Sequence, residues 1–153
     1  MIDDPPGKRN WWTAEYLTGF PDDAIDRFYS YSERMPNSFS QSLAVAWGHE
    51  VEANADATPL QRGAAWVVHP FCVWEGAERD AEHIAWGRAG REALAEYKTG
   101  GATYLNFVGD EGADRVHASF GDNYDRLAAI KATWDPDNVF RGNQNIVPAR
   151  AVA

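Results

Sequence analysis

Ala64-Ala65-Trp66-Val67-Val68-His69-Pro70-Phe71-Cys72-Val73-Trp74 is the strongest strand signal in the chain. Apolar side chains occupy both sets of alternating positions, which predicts a long β-strand with two apolar faces. Pro70 has no backbone N–H to give to a neighbouring strand, so we expect a sheet edge or a bulge at this residue. Glu75-Gly76 then ends the strand.

The segments around this strand predict an α+β fold. Residues 40–47 alternate, with Leu43, Val45 and Trp47 on one side, as is typical of a half-buried strand. Amphipathic helices are predicted near 21–36, 77–97 and 122–134. Their predicted inward-facing residues are Ile25, Phe28 and Tyr29, then Ala81, Ile84, Ala85, Leu94 and Tyr97, then Tyr124, Leu127, Ile130 and Trp134. We therefore expect an antiparallel β-sheet covered on one face by amphipathic helices.

Composition limits the classes of function. The 153 residues include 14 Lys and Arg against 23 Asp and Glu, which gives a formal charge of −9 and argues against nucleic acid or an anionic membrane as partner. A small-molecule substrate or a protein partner fits better. The single cysteine, Cys72, and a start without signal-peptide character predict a cytoplasmic protein. The aromatic content, with 7 Trp, 6 Tyr and 7 Phe, is high for so short a chain and is typical of pockets and interfaces.

The sequence contains few groups suited to metal, thiol or phosphate chemistry. His49, His69, His83 and His117 are scattered without metal-ligand spacing, so no metal site is expected. Cys72 lies between apolar residues, which favours packing over reactivity. The chain also lacks a glycine-rich loop between a strand and a helix, where a dinucleotide phosphate would bind.

Tyr104 and Asn106 are the most informative polar pair. The segment Thr103–Val108 predicts a strand, and its two-residue period places these two side chains on one face with Leu105 and Phe107 opposite. A phenol and an amide side by side could meet a polar heterocycle or satisfy hydrogen bonds in the core.

The last third of the chain contains ordered motifs that resemble a known family. They are Tyr104-Leu105-Asn106-Phe107, Phe120-Gly121-Asp122-Asn123-Tyr124-Asp125-Arg126-Leu127, Lys131, Asp135-Pro136-Asp137-Asn138-Val139-Phe140 and Gln144-Asn145-Ile146-x-Pro148. Their order and spacing resemble the carboxyl-terminal signature of berberine-bridge-enzyme-like FAD-linked oxidases. Upstream segments that follow the family's substrate-domain pattern are Trp47-Gly48, Ala57-Thr58-Pro59-Leu60-Gln61-Arg62, Trp74-Glu75 and Ile84-Ala85-Trp86.

The resemblance implies part of an FAD-dependent oxidase that acts on a sugar, an alcohol or a natural product. Pro5-Pro6-Gly7 and Asn10-Trp11-Trp12 indicate an N-terminal arm at 1–20. The resemblance implies a region of the substrate domain of a PCMH-type FAD oxidase at 21–108 and a berberine-bridge-enzyme-like segment at 109–153. Tyr104 and Asn106 would then face the flavin and the substrate as cofactor-binding residues. The sheet would form the roof of the flavin site.

Two departures from the family concern the catalytic base. Phe107 stands where many members have a tyrosine, and Val67 or Val68 stands where some plant members have a glutamate. None of these side chains can exchange a proton. Tyr104 is therefore the remaining candidate catalytic residue, and His69 is second.

The larger departure is the FAD-binding domain, which the family carries upstream and which this sequence does not contain. Its activity would then depend on an FAD-binding domain or partner chain, and the chain alone would be inactive. Two alternatives are a non-catalytic remnant and a self-associating binding module.

Overall fold

The computed structural model describes residues 6–48, 50–53, 62–142 and 144–150. Its strands are β1 (Arg9–Trp12), β2 (Glu15–Leu17), β3 (Gln41–Ala46) and β4 (Trp66–Trp74). Its α-helices are α1 (Asp22–Ser32), α2 (Glu50–Ala53), α3 (Asp80–Ala93), α4 (Ala113–Phe120) and α5 (Tyr124–Trp134). Single 3-10 turns occupy Ala77–Arg79, Ala95–Tyr97, Leu105–Phe107 and Gly121–Asn123.

The long apolar strand β4 is the centre of an antiparallel sheet. β3 pairs along one side of β4, with Leu43 opposite His69. β1 and β2 pair along the other side, with Trp12 opposite Phe71 and Glu15 opposite Val68. Both registers belong to one continuous alignment, so β1 and β2 are two halves of a single extended segment that Thr13 and Ala14 interrupt. The two short strands were not predicted.

Pro70 explains the interruption. It lies inside the central strand rather than at the predicted edge, because β3 and the β1–β2 segment flank β4 on both sides. The Thr13 N–H donates to the Pro70 carbonyl oxygen at 3.2 Å, but Pro70 has no N–H to return. The ladder therefore breaks in the partner strand, between β1 and β2.

Helices α1 and α3 cover one face of the sheet, which we call the back face. Val68, Cys72 and Trp74 project from β4 into this layer and are nearly or fully buried. The fold class predicted from the sequence, an antiparallel sheet covered on one face by helices, is confirmed. Among the described residues, no helix is both long and apolar enough to cross a membrane.

The face that α3 turns to the sheet differs from the predicted one. Ala81 and Ala85 are exposed, whereas His83, Trp86, Gly87 and Gly90 are buried. A methyl group at Gly87 would lie 2.4 Å from Cζ3 of Trp11 and 2.9 Å from Sγ of Cys72. Large rings on the sheet and on α1 therefore fill the space beside the two glycines, and hydrophobicity alone does not reveal that arrangement.

Several apolar side chains predicted to face the core are exposed. On α1, Ile25 and Tyr29 are 45% and 63% exposed, while Ala24 and Tyr31 are buried. On α5, Trp134 is 84% exposed. These parts of the predicted helix faces are wrong, and they leave large apolar side chains on the surface.

The segment 103–108 is not a strand. Tyr104 precedes a 3-10 turn over Leu105–Phe107, in which side chains three residues apart lie on the same side. Tyr104 and Phe107 therefore meet edge to face with ring centroids 4.9 Å apart, and Leu105 is buried. The predicted placement of Phe107 opposite Tyr104 is wrong because the local period is three rather than two.

A buried carboxylate ties the sheet to the later helices. Glu15 in β2 has no exposed surface, and its Oε1 lies 2.6 Å from Arg91 Nε and 2.7 Å from Arg115 Nη1. Arg91 also binds Glu111 at 2.9 Å, and Arg115 Nη2 donates to the Ala14 carbonyl oxygen at 2.6 Å. Two guanidinium groups therefore compensate the buried charge and hold α3 and α4 against β2.

Candidate functional site

The sheet face opposite the helices, which we call the front face, carries a continuous row of rings. Trp47 packs against Tyr104 at 5.0 Å, and Tyr104 contacts Phe107 at 4.9 Å. Phe107 stacks on His69 of β4 with centroids 4.3 Å apart and planes 14° apart. We call these four residues the aromatic row. It joins the turn at 105–107 to the central strand.

The front face is open beside the aromatic row. Leu43 and Val45 lie opposite His69 and Val67 in the β3–β4 register, so they share this face. They are 38% and 39% exposed. Two aliphatic side chains of a sheet face are thus left in contact with solvent, although the sequence pattern suggested that they would be covered.

Tyr104 and Asn106 lie together, as the sequence suggested, but on a turn rather than a strand. Asn106 Nδ2 donates to the Tyr104 hydroxyl oxygen at 2.9 Å. Because the phenol oxygen accepts this bond, its own O–H remains able to donate to another group. Tyr104 is half-buried and Asn106 is exposed, so the pair can meet a bound molecule.

His69 is on the same face and is almost completely buried. Its Nδ1 lies 2.9 Å from the Thr13 carbonyl oxygen. Burial lowers the pKa of His69, although the Thr13 carbonyl acts in the opposite direction. The side chain is therefore a neutral imidazole near neutral pH.

A cavity of about 640 Å³ adjoins the turn at 105–107, on the side of Asn106. Its walls include Trp12, Asn106, Asp110, Arg141 and Gln144. The Trp12 indole N–H is buried and has no hydrogen-bond partner among the described residues. Gln144 Nε2 donates to the Val108 carbonyl oxygen at 3.0 Å, which anchors the C-terminal segment beside the cavity. The cavity therefore presents an indole, an amide and a guanidinium that can donate to acceptor atoms.

The other positions considered from the sequence offer no proton-transfer group. Val67 faces the front and Val68 faces the back, and both are buried. Cys72 is fully buried on the back face, and burial raises its pKa to about 12. These environments favour packing for all three residues.

Some predicted features lie outside the described residues. They include His49 and, apart from Arg62, the segment at 57–62. Within the part of the chain that the structure describes, no three His, Cys, Asp or Glu side chains are grouped as metal ligands.

Thr13 and Arg141 were missed as contributors to the site. Trp12 was indicated by the pair Trp11-Trp12, because adjacent indoles need a surface to cover them. Thr13 contributes through its backbone carbonyl, so its side chain gives no indication of the role. Arg141 lies between two family motifs, and its place beside Asn106 depends on how the C-terminal segment folds back.

Solved structures that are similar to this chain include a flavoenzyme and a hexose oxidase. The chain is similar to CrmK, a flavoenzyme involved in shunt product recycling in caerulomycin biosynthesis, with a TM-score of 0.77 and 26% identity over 96% of this chain and 34% of that chain. It is also similar to the glycopeptide hexose oxidase DBV29, solved in complex with teicoplanin, with a TM-score of 0.74 and 25% identity over 93% of this chain and 33% of that chain. The chain thus has the fold of about a third of each of these two enzymes.

Sequence comparisons show which family of FAD-linked proteins the chain is similar to. Residues 103–147 match the family model "Berberine and berberine like". The chain is 31% identical over 132 residues to the uncharacterized FAD-linked oxidoreductase YgaK of Bacillus subtilis (strain 168), covering 83% of this chain and 28% of that protein. The predicted resemblance to berberine-bridge-enzyme-like FAD-linked oxidases is confirmed. The chain spans about a third or less of the length of these relatives.

Proposed function

We propose that this chain forms the substrate side and the roof of the flavin site in an FAD-dependent oxidoreductase acting on a sugar, an alcohol or a natural product. The observation that carries the proposal is the open front face, which carries the aromatic row and the Tyr104–Asn106 pair, and Asn106 of this pair also lines a cavity of about 640 Å³. The hexose oxidase and the biosynthetic flavoenzyme with the same fold support this substrate range.

The residues present fit the ring system of FAD. An isoalloxazine is flat and bears carbonyl oxygens and ring nitrogens, and it needs aromatic or aliphatic faces with hydrogen-bond donors at its edge. The unpartnered Trp12 N–H and the exposed Asn106 amide are such donors, and Leu43 and Val45 supply an apolar surface. When bound, FAD supplies a two-electron oxidant.

Two residues have separate roles in the proposal. Asn106 fixes the Tyr104 hydroxyl and is available to the cofactor edge, while the Tyr104 O–H can hydrogen-bond to substrate. Tyr104 is therefore the candidate catalytic residue, and both residues are candidates for cofactor binding. Phe107 holds the ring of Tyr104 edge on and takes no part in proton transfer.

The proposed partner is an FAD-binding domain, which would cover the exposed apolar side chains on the front face. Without it the chain is inactive, and we place the assembled enzyme in the cytoplasm. A second candidate, self-association as a non-catalytic binding module, is favoured by the same exposure of Leu43 and Val45, because a second copy could also cover them.

The test is to mix the chain with FAD and with the FAD-binding portion of a relative such as YgaK, and then desalt the mixture. Visible flavin absorbance that co-elutes with this chain is the expected result. A mixture in which the chain elutes colourless would overturn the proposal, and a colourless dimer by light scattering would support self-association instead.

Two matched variants test which face of the chain contacts the FAD-binding domain. Val45→Glu places a charge on the front face and should weaken co-elution at least about tenfold, because it buries an unpaired carboxylate. Ile25→Glu is the matched control, since Ile25 is similarly exposed at 45% but lies on α1, in the back layer. Equal losses in the two variants would show that the front face is not the contact.

A further inference from the structure

The break between β1 and β2 leaves one carbonyl without its strand partner. Thr13 lies opposite Pro70 in the continued register and would exchange two backbone hydrogen bonds with an ordinary residue there. Only the bond from Thr13 N–H to the Pro70 oxygen, 3.2 Å, can form. Thr13 has no exposed surface, so its carbonyl oxygen needs a donor from within the protein.

The neighbouring imidazole is that donor. His69 Nδ1 lies 2.9 Å from the Thr13 oxygen. A carbonyl oxygen can only accept, so the hydrogen in this bond belongs to Nδ1. The neutral ring is thereby fixed as the Nδ1–H tautomer, and its lone pair for a proton is on Nε2.

The fixed ring lies within the candidate site. It stacks on Phe107 at 4.3 Å, next to Tyr104 in the aromatic row, and it is 7% exposed. Its other aromatic neighbour is Phe71, at 5.9 Å. His69 thus supplies the imidazole of the aromatic row. Its neighbours Phe107 and Val67 cannot take a proton.

We propose that His69 accepts the substrate proton at this site through Nε2, and that Pro70 is a positioning residue that sets the required tautomer by withholding an N–H from Thr13. The role of His69 rests on the proposed function. When a substrate alcohol is oxidised, its O–H bond breaks and an Nε2–H bond forms, leaving an imidazolium. FAD, held in part by donors such as the Asn106 amide, would supply the two-electron oxidant that takes the hydrogen of the carbon as hydride, so that a C=O bond could form.

An imidazole suits this step better than the phenol beside it. The unprotonated Nε2 of the imidazole carries a lone pair that can take a proton directly, whereas a phenol must first lose its own proton. Tyr104 can then orient the substrate by donating its O–H, while His69 removes the proton. The two side chains have complementary roles in one row.

The tautomer can be tested on the chain alone by NMR of protein labelled with ¹⁵N-histidine. Long-range proton–nitrogen correlations should show His69 as a single Nδ1–H tautomer. Pro70→Ala restores a backbone N–H for Thr13, and we expect the His69 signals to shift toward a mixture of tautomers. Pro36→Ala, outside the sheet, is the control and should leave them unchanged. An Nε2–H tautomer in the parent chain would overturn the proposal.

The proton transfer is tested in the assembled oxidase. His69→Gln retains a side-chain N–H for Thr13 but cannot take a proton, so kcat should fall about 100-fold or more while bound flavin absorbance stays the same. Pro70→Ala should lower kcat about two- to tenfold through the tautomer mixture and leave KM nearly unchanged.

The outcomes separate the two proposals. Failure of the parent chain to hold flavin in any mixture overturns the proposed function and the role of His69 with it. Retained flavin with full kcat in the His69→Gln variant overturns only the role of His69. If His69→Gln does not fold, the same decision is made from the tautomer spectrum and kcat of Pro70→Ala.

Discussion

The side-chain amide of Asn106 donates a hydrogen bond to the hydroxyl oxygen of Tyr104 at 2.9 Å. Tyr104 immediately precedes the turn at 105–107, which carries Asn106 and Phe107, so one short segment positions both polar groups beside the aromatic row. The bond fixes where the Tyr104 oxygen lies and leaves its hydrogen free to point at a bound molecule. This geometry makes the phenol oxygen a specific target for mutation.

Removing the Tyr104 hydroxyl should reduce turnover but leave flavin binding intact. Tyr104→Phe keeps the ring against Trp47 and Phe107 and loses only the O–H, so we expect kcat in the assembled oxidase to fall at least about tenfold. Steady-state kinetics and the flavin absorbance per chain measure the two effects. Tyr29→Phe, in an exposed tyrosine on α1, is the control. Unchanged kcat in Tyr104→Phe would remove this hydroxyl from the mechanism.

Neutralising Glu15 should destabilise the fold strongly. Glu15→Gln leaves Arg91 and Arg115 with only Glu111 as a shared carboxylate, and removing one partner of a buried ion pair costs about 3 kcal/mol or more. Urea denaturation measures the free energy of unfolding. Glu96→Gln is the control, because Glu96 pairs with Arg27 at 3.0 Å but is 68% exposed, and it should cause little change. Similar free energies of unfolding for the two variants would contradict the claim that burial of Glu15 makes its ion pairs important for stability.

A methyl group at Gly87 should disrupt the packing of α3 on the sheet. Gly87→Ala places Cβ within 2.4 Å of the Trp11 ring, so we expect a loss of about 1–3 kcal/mol despite the higher helix propensity of alanine. Gly142→Ala is the control, because nothing lies within 4 Å of that added Cβ. Thermal unfolding distinguishes the variants, and a more stable Gly87→Ala protein would contradict this packing.

Acid should weaken the fold through buried histidine. His83 has no exposed surface, it stacks on Trp74 at 4.9 Å, and neither ring nitrogen has a hydrogen-bond partner among the described residues. Burial lowers the pKa of His83, as it does the pKa of His69. The unfolded chain therefore binds more protons just below the ordinary histidine pKa of about 6.5, and stability falls as the pH drops through that value.

Replacing His83 should reduce this dependence. His83→Phe keeps a flat ring against Trp74 and cannot be protonated, so its unfolding free energy should decline less between about pH 6.5 and pH 5. The remaining decline includes the contribution of His69. Urea denaturation at several pH values provides the comparison, and parallel curves for the parent and variant would assign the acid sensitivity to other groups.

The sequence predicted β3, β4 and the main helices because their signals are local. Alternation is visible in Gln41–Ala46, and the apolar run in Trp66–Trp74 is long. Helix faces were predicted less well, since Gly87 is buried by the ring of Trp11 and the sulfur of Cys72, which belong to other elements. The turn at 105–107 was mistaken for a strand, because apolar and polar residues also alternate in its sequence.

The part of the site that was predicted also depends on local sequence signals. Tyr104 and Asn106 were found because they belong to a motif, and their proximity follows from a separation of two residues. The tautomer of His69 depends on Thr13, 56 residues away, through a backbone atom. The exposure of Leu43 and Val45 depends on which surfaces of the sheet are covered by the rest of the chain. Alternation in the sequence shows that the two side chains share a face but not whether that face is covered.

The position of β3 at an edge of the sheet affects the solubility of the separate chain. Among the described residues it pairs with β4 and with no other strand, so it is an edge of the sheet. Its sequence, Gln-Ser-Leu-Ala-Val-Ala, contains neither the charges nor the proline with which natural edge strands discourage further pairing. At high concentration the separate chain would thus be prone to aggregation by strand addition, and co-expression with a covering partner is the rational route to soluble material.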